Sequence, residues 1–466
     1  MRLKIPQIAA LLLLVFSPAV ALAPLSDSGS SDVPIVYTTL PASARPGSWD
    51  GARLMRREPD GGTRPLSTGF HSAADPAISF DGLRVLFAGK RRAADRWQIF
   101  ESSLDGNDVK QLTSLHLDCR QPVYQSRFFT LDAPTPWDQV AFVAGGQLHS
   151  VPLEMARSGN VPPQQITFLP GEVRDPVVAP DGRVVFSYRE SSSKPSRLFG
   201  VNLDGTDYAL FSGAPPVALR MAAVQSEESL VVIEDGQTDP WGAGSLGTMS
   251  LQRPQGGIAP ALRESALRFH SPKALPGNSI LVAARDTGAF GIARLDPSLR
   301  NSTWLVRDAT QHLLQPQPVA PTALPDGRGS VVDPSVEWAV LYCQSVYVND
   351  LPREKQMPRG MVRSVRVFTQ AAGKSDAIGE GPVEQDGSFH LRVPANRPLR
   401  LELLDQSGAV LRRGAWIYAR NKESRGCIGC HEDPELTPAN RVPMAIEKPP
   451  VNLSQSPGAS LRGGGR

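Results

Sequence analysis

The sequence predicts an all-β fold, and three observations support this class. Glycine and proline are abundant, with 41 and 43 copies in 466 residues. Blocks rich in Ala, Glu, Lys and Leu are scarce, so the composition favours short strands joined by many turns. A pattern of strand, Asp-Gly turn and strand recurs along the chain as far as residue 320. Beyond residue 335 the spacing of apolar segments changes, which indicates a second β domain.

Two copies of the repeat align over their whole length. Residues 75–82 (DPAISFDG) lead into an apolar segment at 84–87, and residues 175–182 (DPVVAPDG) lead into another at 183–186. Asp-Gly turns at 60, 105 and 204, with degenerate copies at 139–149, 230–233 and 280–283, extend the pattern. The unit is about 45–50 residues long, and four short strands per unit of this length are typical of a β-propeller blade.

About six such units fit between residues 34 and 320, which predicts a six-bladed propeller. The first unit is incomplete, because no full blade precedes the strand segment at 35–37. We therefore expect the N-terminal strand to complete a blade begun by the last segment, which would close the ring and remove its exposed edges. A pair of β-sandwiches is the alternative, but a sandwich needs no repeating unit.

The propeller is expected to be followed by a linker and a small antiparallel β domain. Residues 321–335 are rich in Pro, Gly and Asp and predict the linker. Alternating apolar segments then predict strands within a domain over residues 336–450, at 338–347, 362–368, 383–394, 399–404 and 410–411. The Ser-, Gly- and Arg-rich tail at 451–466 is expected to be disordered.

The N-terminus predicts an exported protein. Residues 1–23 combine the basic Arg2 and Lys4, an apolar core at 8–16 and small residues at 21–23, which is typical of a signal peptide cleaved after Ala23. A retained anchor is the alternative. No later apolar run reaches eighteen residues, so we expect a periplasmic or secreted mature chain without stable membrane insertion. The net charge of +3 and the dispersed basic residues give no support to nucleic-acid binding.

The sequence CIGCH at residues 427–431 predicts covalent attachment of one c-type haem. Cys427 and Cys430 would form the thioethers, and His431 would supply an axial nitrogen to the iron. Half of a zinc site or a redox dithiol are the alternatives, but no second Cys/His pair follows and no βαβ pattern surrounds the motif. No helical pattern surrounds it either, so we expect the haem to lie on loops packed against β domains.

The sixth iron ligand is left open between Met444, His390 and a vacant position. A methionine would suit electron transfer, whereas a vacancy would permit ligand binding or catalysis. Both residues also have ordinary interpretations, Met444 as a packing side chain and His390 as a surface residue of a strand. Trp416 and Tyr418, shortly before the motif, either line a porphyrin edge or belong to the core of the β domain.

Two further cysteines, Cys119 and Cys343, lie in the predicted propeller and the predicted β domain. In an exported protein they could form a disulfide that joins the two domains. Alternatively, they are two buried thiols, because sequence alone does not give disulfide connectivity.

Several segments resemble the hydrazine synthase alpha subunit and the wider family related to it. Residues 425–433 (RGCIGCHED) with 438–444 resemble the haem segment of its middle domain, and residues 385–393 with 403–405 resemble the β strands of that domain. Residues 75–82, 89–91 and 97–100 resemble its TolB/WD40-like propeller. The resemblance implies a six-bladed propeller followed by a domain that carries haem c.

The chain departs from that family in ways that limit the function it implies. The synthase subunit continues into a domain with a second haem, and a Tyr four residues after its motif His is the iron ligand. Here there is one motif and the equivalent position is Glu435, a carboxylate that would bind iron only weakly. The resemblance therefore does not extend to hydrazine synthesis, and no catalytic residue is assigned.

The expected function is electron transfer by an exported monohaem protein, or service as the haem subunit of an oxidoreductase. Either role implies a redox partner protein. Two alternatives stay open: a propeller-based binding or assembly module with a structural haem, and a haem enzyme that acts on small nitrogen compounds at an open iron site.

Overall fold

The computed structural model describes residues 33–130, 133, 135–159, 161–213, 217–235, 239–262, 265–349, 353–371, 373–429 and 440–454. These residues are dominated by β-strands, which confirms the predicted all-β class. Their helical structure is one short helix, α1 (Leu153–Arg157), and the 3₁₀ turns Pro254–Gly256, Pro276–Asn278, Arg353–Lys355 and Met444–Glu447. None of the helices in this part of the chain is long and apolar enough to cross a membrane.

Six four-stranded sheets form the blades of a propeller, and their innermost strands contact one another in a closed ring. From the inner to the outer strand, blade 1 consists of β25 (Gln311–Pro318), β1 (Ile35–Pro41), β2 (Arg53–Arg57) and β3 (Thr63–Pro65). Blade 2 consists of β4 (Ser72–Ile78), β5 (Arg84–Lys90), β6 (Gln98–Ser103) and β7 (Lys110–Gln111). Blade 3 consists of β8 (Cys119–Tyr124), β10 (Gln139–Ala144), β11 (Gln147–Pro152) and β12 (Gln164–Gln165).

The other three blades follow the chain without interruption. Blade 4 consists of β13 (Glu172–Val178), β14 (Val184–Arg189), β15 (Arg197–Val201) and β16 (Ala209–Leu210). Blade 5 consists of β17 (Ala218–Ser226), β18 (Ser229–Asp235), β19 (Ser245–Ser250) and β20 (Ala259–Ala261). Blade 6 consists of β21 (Arg268–Ala274), β22 (Ile280–Arg285), β23 (Gly291–Leu295) and β24 (Ser302–Val306).

The ring closes as the sequence predicted. Strand β1 pairs antiparallel with β25, with Thr39 opposite Leu313, so the last propeller strand is the inner strand of the first blade. This pairing leaves neither end of the propeller as an open sheet edge. The degenerate repeats at 139–149, 230–233 and 280–283 fall in β10–β11, β18 and β22, and of these β10, β18 and β22 lie next to the inner strands of their blades.

Every inner strand carries a two-residue bulge at the same place. Its first residue has a φ between +48° and +57°, and these six residues are Asp75, Gln121, Asp175, Met221, Ser271 and Gln315. The strand register shifts at each of these sites. The second bulge residue is proline in five blades and Ala222 in blade 5. Proline suits this position because a bulged residue leaves the hydrogen-bond ladder and has no need of its N–H.

The segment predicted as a linker lies along the propeller. Its strand β26 (Arg328–Ser330) pairs in parallel with β9 (Phe128–Thr130). The backbone N–H of Thr322 donates to the carbonyl of Phe80, and that of Asp326 donates to the carbonyl of Pro180, both at 2.9 Å. Residues 321–335 therefore fasten the connection to the propeller surface at several points.

The C-terminal domain consists of two four-stranded sheets packed face to face. One has the order β33 (Ser424–Cys427), β27 (Trp338–Cys343), β30 (Phe389–Pro394) and β34 (Val451–Asn452). The other has the order β29 (Lys374–Pro382), β28 (Ser364–Ala371), β31 (Leu399–Leu404) and β32 (Val410–Ile417). The second sheet is antiparallel throughout, whereas both edge strands of the first pair in parallel with their neighbours.

The start of the tail differs from the sequence expectation. Strand β34 pairs Val451 with Leu391, and Leu453 is buried, so residues 451–453 belong to the folded domain. One apolar side chain in the core and two paired backbone residues hold this short segment in place. The sequence did not predict this, because the residues around the segment are mostly polar. Residues 455–466 lie outside the described residues.

A buried contact joins the C-terminal domain to blade 4. Tyr418 is fully buried in a cluster of propeller core residues, and its hydroxyl donates to the carbonyl of Gly205 at 2.9 Å. Arg420 Nε donates to the carbonyl of Asp204 at 2.8 Å. Gly205 has a φ of +83°, and a Cβ there would lie 1.9 Å from the Ile166 carbonyl oxygen, so this turn requires glycine. Tyr418 is thus a core residue of the contact between the two domains.

Candidate haem-attachment site

The first cysteine of the motif is held by the backbone of a sheet. Cys427 is the last residue of β33, and its carbonyl accepts a hydrogen bond from Gln344 N at 2.9 Å. The Ile428 carbonyl accepts one from Ser345 N at 3.2 Å. A Cβ on Gly429 would lie 2.0 Å from the Val348 carbonyl oxygen, so only glycine fits at this position. The backbone of the first three motif residues is therefore fixed.

Three other residues of the predicted haem site, Cys430, His431 and Glu435, lie outside the described residues. Among the described residues no cluster of three or more His, Cys, Asp or Glu side chains is placed to hold a metal ion. The positions of the second thioether cysteine and of the expected iron ligand therefore stay predictions from the sequence.

Arg425 was not singled out from the sequence, but it is a buried polar group close to the motif whose hydrogen-bonding capacity is unmet among the described residues. Residues two apart on a strand face the same side, so Arg425 and Cys427 share a face of β33. Arg425 Nη2 donates to the Tyr208 carbonyl, but the buried Nε and Nη1 have no acceptor among the described residues. Burial alone would lower the pKa of Arg425, but the charges of Cys427 and Glu423 raise it above its usual value.

A haem fits this arrangement because it carries carboxylates. Two buried guanidinium N–H groups without acceptors are costly, typically by about 1–3 kcal/mol each. Arginine presents its donors in a planar fork that matches a carboxylate. A haem propionate that reached Arg425 would meet this need next to the thiol that would attach the ring.

The strand before the motif is locked to the propeller. Glu423 is buried and accepts hydrogen bonds from Arg420 N at 2.6 Å and from Asp207 N at 2.9 Å. Burial raises the pKa of Glu423 above its usual value. The turn that begins β33 is therefore fixed against the hairpin of blade 4 that also contacts Tyr418.

Met444 lies on a segment packed next to the motif. Arg441 Nη2 donates to the carbonyl of Gln344 at 3.1 Å, and Gln344 is the residue whose N–H donates to Cys427. Met444 N donates to Asp386 Oδ2 at 3.0 Å. This segment exposes three apolar side chains that are at least 40% accessible, which are Val442, Met444 and Ile446. Apolar surface beside the motif suits contact with a porphyrin.

His390 lies on a different face of the same sheet. It pairs with Tyr342 on β27, whereas Cys343, one residue further on, pairs with Cys427. Alternation along β27 places His390 on the face opposite Cys427, and its Nδ1 lies 3.1 Å from the Lys448 carbonyl oxygen. This placement favours Met444 over His390 as a neighbour of the motif.

The structure places Cys119 and Cys343 in separate cores. Cys119 is a free thiol in the propeller, 3.7 Å from Gln98 Oε1, and burial raises its pKa to about 11. Cys343 lies in the core of the C-terminal domain, opposite Cys427 in the strand register. No disulfide joins the two domains through these residues. The proximity of Cys343 to the motif, 84 positions along the chain from Cys427, left no signal in the sequence.

These features define a six-bladed β-propeller protein with a C-terminal β-sandwich that carries a C-x-x-C-H segment. Residues 345–432 match the family model of the hydrazine synthase alpha subunit middle domain. The chain is therefore related to the hydrazine synthase alpha family, as the sequence resemblance predicted.

Comparison with individual proteins supports the same relationship. Hydrazine synthase subunit alpha of Kuenenia stuttgartiensis is 22% identical over 501 residues, and the match covers 78% of this chain and 60% of the relative. The solved Kuenenia stuttgartiensis hydrazine synthase superposes with a TM-score of 0.79 at 18% identity, covering 90% of this chain and 72% of that one. TolB from Acinetobacter baumannii aligns over 62% of this chain and 67% of its own at 13% identity, with a TM-score of only 0.44. The chain thus spans about 60% of the length of its curated relative, and the structural likeness shows the fold alone.

Proposed function

We propose that this chain is an exported monohaem c protein that transfers electrons to or from a partner protein. The observation that carries the proposal is the C-x-x-C-H segment that begins at the end of β33, in a domain matched by the family model. The unmet guanidinium donors of Arg425 on the same strand face support it. A haem held there would supply one-electron chemistry at its iron.

In this proposal each nearby residue has a defined task. Cys427 and Cys430 hold the porphyrin covalently, and His431 supplies the axial nitrogen. Arg425 donates to a propionate, and Met444 is the candidate for the sixth position. Because β33 is fixed to the propeller through Glu423, the propeller and the haem-bearing strand would present one surface to a redox partner.

Export is part of the same proposal. The signal-like segment at residues 1–23 lies outside the described residues, and its support is the sequence pattern alone. If the chain is cut after Ala23, N-terminal sequencing of the mature protein should give Pro24 as the first residue. A mature protein that still begins at residue 1 would contradict export by a cleaved signal.

The test of the haem is expression in a host with c-type maturation machinery. We expect a pyridine haemochrome spectrum and an intact mass increased by one haem. Replacing Cys427 or Cys430 with Ala should each reduce stable attachment, because each removes one thioether. Cys119→Ala is the matched control, since this thiol lies in the propeller core and should leave attachment unchanged.

The reduced spectrum separates electron transfer from the alternatives. A low-spin spectrum that carbon monoxide does not change supports an iron with two protein ligands and electron transfer. A high-spin spectrum that shifts with carbon monoxide contradicts that assignment and favours an open iron site. A mature chain of apo mass, with no haemochrome, would overturn the proposal and leave the propeller as the functional part.

A further inference from the structure

A cavity with polar and apolar walls lies on the axis of the propeller, where the bulged inner strands converge. Its volume is about 120 Å³. The residue that follows each two-residue bulge is small and apolar in blades 2 to 5, where it is Ala77, Val123, Val177 or Ala223. In blades 6 and 1 this position carries Lys273 and Gln317. Since β21 and β25 are neighbours in the ring, the two polar side chains lie on the same side of the cavity.

The acidic residues around this cavity already have cationic partners. Asp75 receives two hydrogen bonds from Arg120, at 2.6 Å from Nε and 3.1 Å from Nη2. Burial alone would raise the pKa of Asp75, but the charge and hydrogen bonds of Arg120 hold it below its usual value. Asp175 Oδ2 lies 3.4 Å from Arg220 Nε. The two carboxylates are therefore each matched by an arginine.

Lys273 has no such partner. Its ammonium makes no ion pair or hydrogen bond with any residue of the described ranges, although its side chain lines the cavity. The surrounding protein lowers the pKa of Lys273 through burial. Gln317 Oε1 is likewise buried, and no donor reaches it from the described residues. Both residues line the cavity. Gln317 Oε1 is a buried acceptor without a donor, which proteins seldom leave unsatisfied, and the half-buried Lys273 ammonium beside it has no protein partner among the described residues.

We propose that this axial cavity binds a small oxyanion that also carries a protonated oxygen, of the class of hydrogen phosphate. The Lys273 ammonium would donate to an anionic oxygen, and Gln317 Oε1 would accept from the protonated one. About 10–15 Å³ of cavity suffices for one water molecule, so the space admits a group of several non-hydrogen atoms. The proposal does not depend on haem, because neither residue touches the motif.

The test is calorimetric titration of inorganic phosphate into the mature chain at neutral pH. We expect one site in the wild type and an affinity at least about tenfold weaker in Lys273→Met, because the substitution keeps the length and removes the charge. Lys110→Met is the matched control, since Lys110 is exposed on the outer strand β7 and its loss changes the net charge equally. Lys273→Arg should retain binding.

A folding defect would not imitate this result. Burial disfavours the charge of Lys273, so Lys273→Met should melt no lower than the wild type without phosphate. Phosphate should raise the melting temperature of the wild type and of Lys110→Met only. Gln317→Leu should weaken phosphate more than acetate, which has no protonated oxygen at neutral pH. Absence of binding to the wild type, equal affinity in Lys273→Met, or equal binding of chloride would overturn the proposal.

Discussion

Arg425 is the residue whose hydrogen bonds would change most if the C-x-x-C-H site held a haem. Two of its buried N–H groups lack acceptors among the described residues. A haem propionate would supply them, so Arg425 should cost stability before attachment and contribute stability after it. The contribution of Arg425 to the free energy of unfolding would change sign in this way only with a ligand that carries a hydrogen-bond acceptor.

We predict that Arg425→Met reduces the stabilisation that haem attachment brings. The haem-free variant should lose the cost of the unmet donors, and the haem-loaded variant should lose a charge-assisted bond worth about 1.5–3 kcal/mol. Urea unfolding of both forms gives the two free energies of unfolding, and their difference should shrink relative to the wild type.

The matched control for this measurement is Arg366→Met in the same domain. Arg366 makes an exposed ion pair with Glu380 at 3.1 Å, and such pairs contribute little. Its removal should change both forms alike. If Arg425→Met leaves the gain from haem attachment as large as in the wild type, Arg425 has no role in binding the haem.

At the scale of single residues, the sequence contains the haem-attachment motif but gives no indication that Arg425 lies beside it with unmet donors. C-x-x-C-H is a local pattern, so its spacing alone indicates a cofactor. Arg425 differs from the other arginines only in what surrounds it, and its acceptor on Tyr208 lies 217 positions away. Sequence reasoning therefore had no means to separate it from solvated surface charge.

At the scale of single strands, one inner strand of the propeller carries a buried histidine that makes the stability depend on pH. His270 lies on β21 immediately before the bulge at Ser271, whose hydroxyl is 2.6 Å from His270 Nδ1. Burial, with the charges of Arg220 and Arg285, lowers the pKa of His270 to about 4, although Asp175 and Asp239 act in the opposite direction. The folded chain therefore holds this imidazole neutral.

We predict that stability falls as the pH is lowered from 6.5 towards 4, and that His270→Gln reduces this fall. Over that range the unfolded chain binds a proton at His270 that the folded chain does not, so acid favours unfolding. A shift from 6.5 to about 4 corresponds to about 3 kcal/mol. The measurement is urea unfolding at intervals of pH for the wild type and the variant.

The comparison needs a second histidine variant, because the pKa values of His149 and His312 are also lowered by burial. These two residues leave part of the acid sensitivity in place in His270→Gln. His149→Gln should likewise reduce the fall in stability, since burial lowers the pKa of that imidazole too. A pH dependence in His270→Gln as steep as in the wild type would show that this imidazole is not held neutral.

The bulges show which copies of the propeller repeat can be detected from the sequence and which cannot. The two copies at Asp75 and Asp175 were detected because a proline and an Asp-Gly turn follow each. Gln121, Ser271 and Gln315 also precede prolines, but no Asp-Gly turn follows at the same distance, and Met221 lacks the proline as well. The bulge is a backbone feature that several side chains can adopt, so half of its copies left only a dipeptide as signal.

For the whole molecule, the main consequence of the fold is that the propeller and the C-terminal domain share a core. The sequence predicted both domains and a linker between them, without any indication of how the domains pack. The structure instead packs the Tyr418 ring 5.1 Å from that of Tyr208 and 5.7 Å from that of Phe168, measured between centroids. These contacts join residues more than 200 positions apart, which no local pattern can predict.

The shared core predicts that the two domains unfold together. We expect one calorimetric transition for the wild type and two for Tyr418→Ala, because loss of a buried aromatic ring costs about 3–5 kcal/mol and removes most of the apolar contact between the domains. Tyr418→Phe should keep one transition and lose about 1 kcal/mol, since only the bond to the Gly205 carbonyl disappears. Phe368→Ala is the control: this ring lies within the C-terminal domain under Arg400, so its loss should lower the melting temperature without separating the domains. A single transition in Tyr418→Ala would mean that the polar contacts of Arg420 and Glu423 suffice to couple the domains.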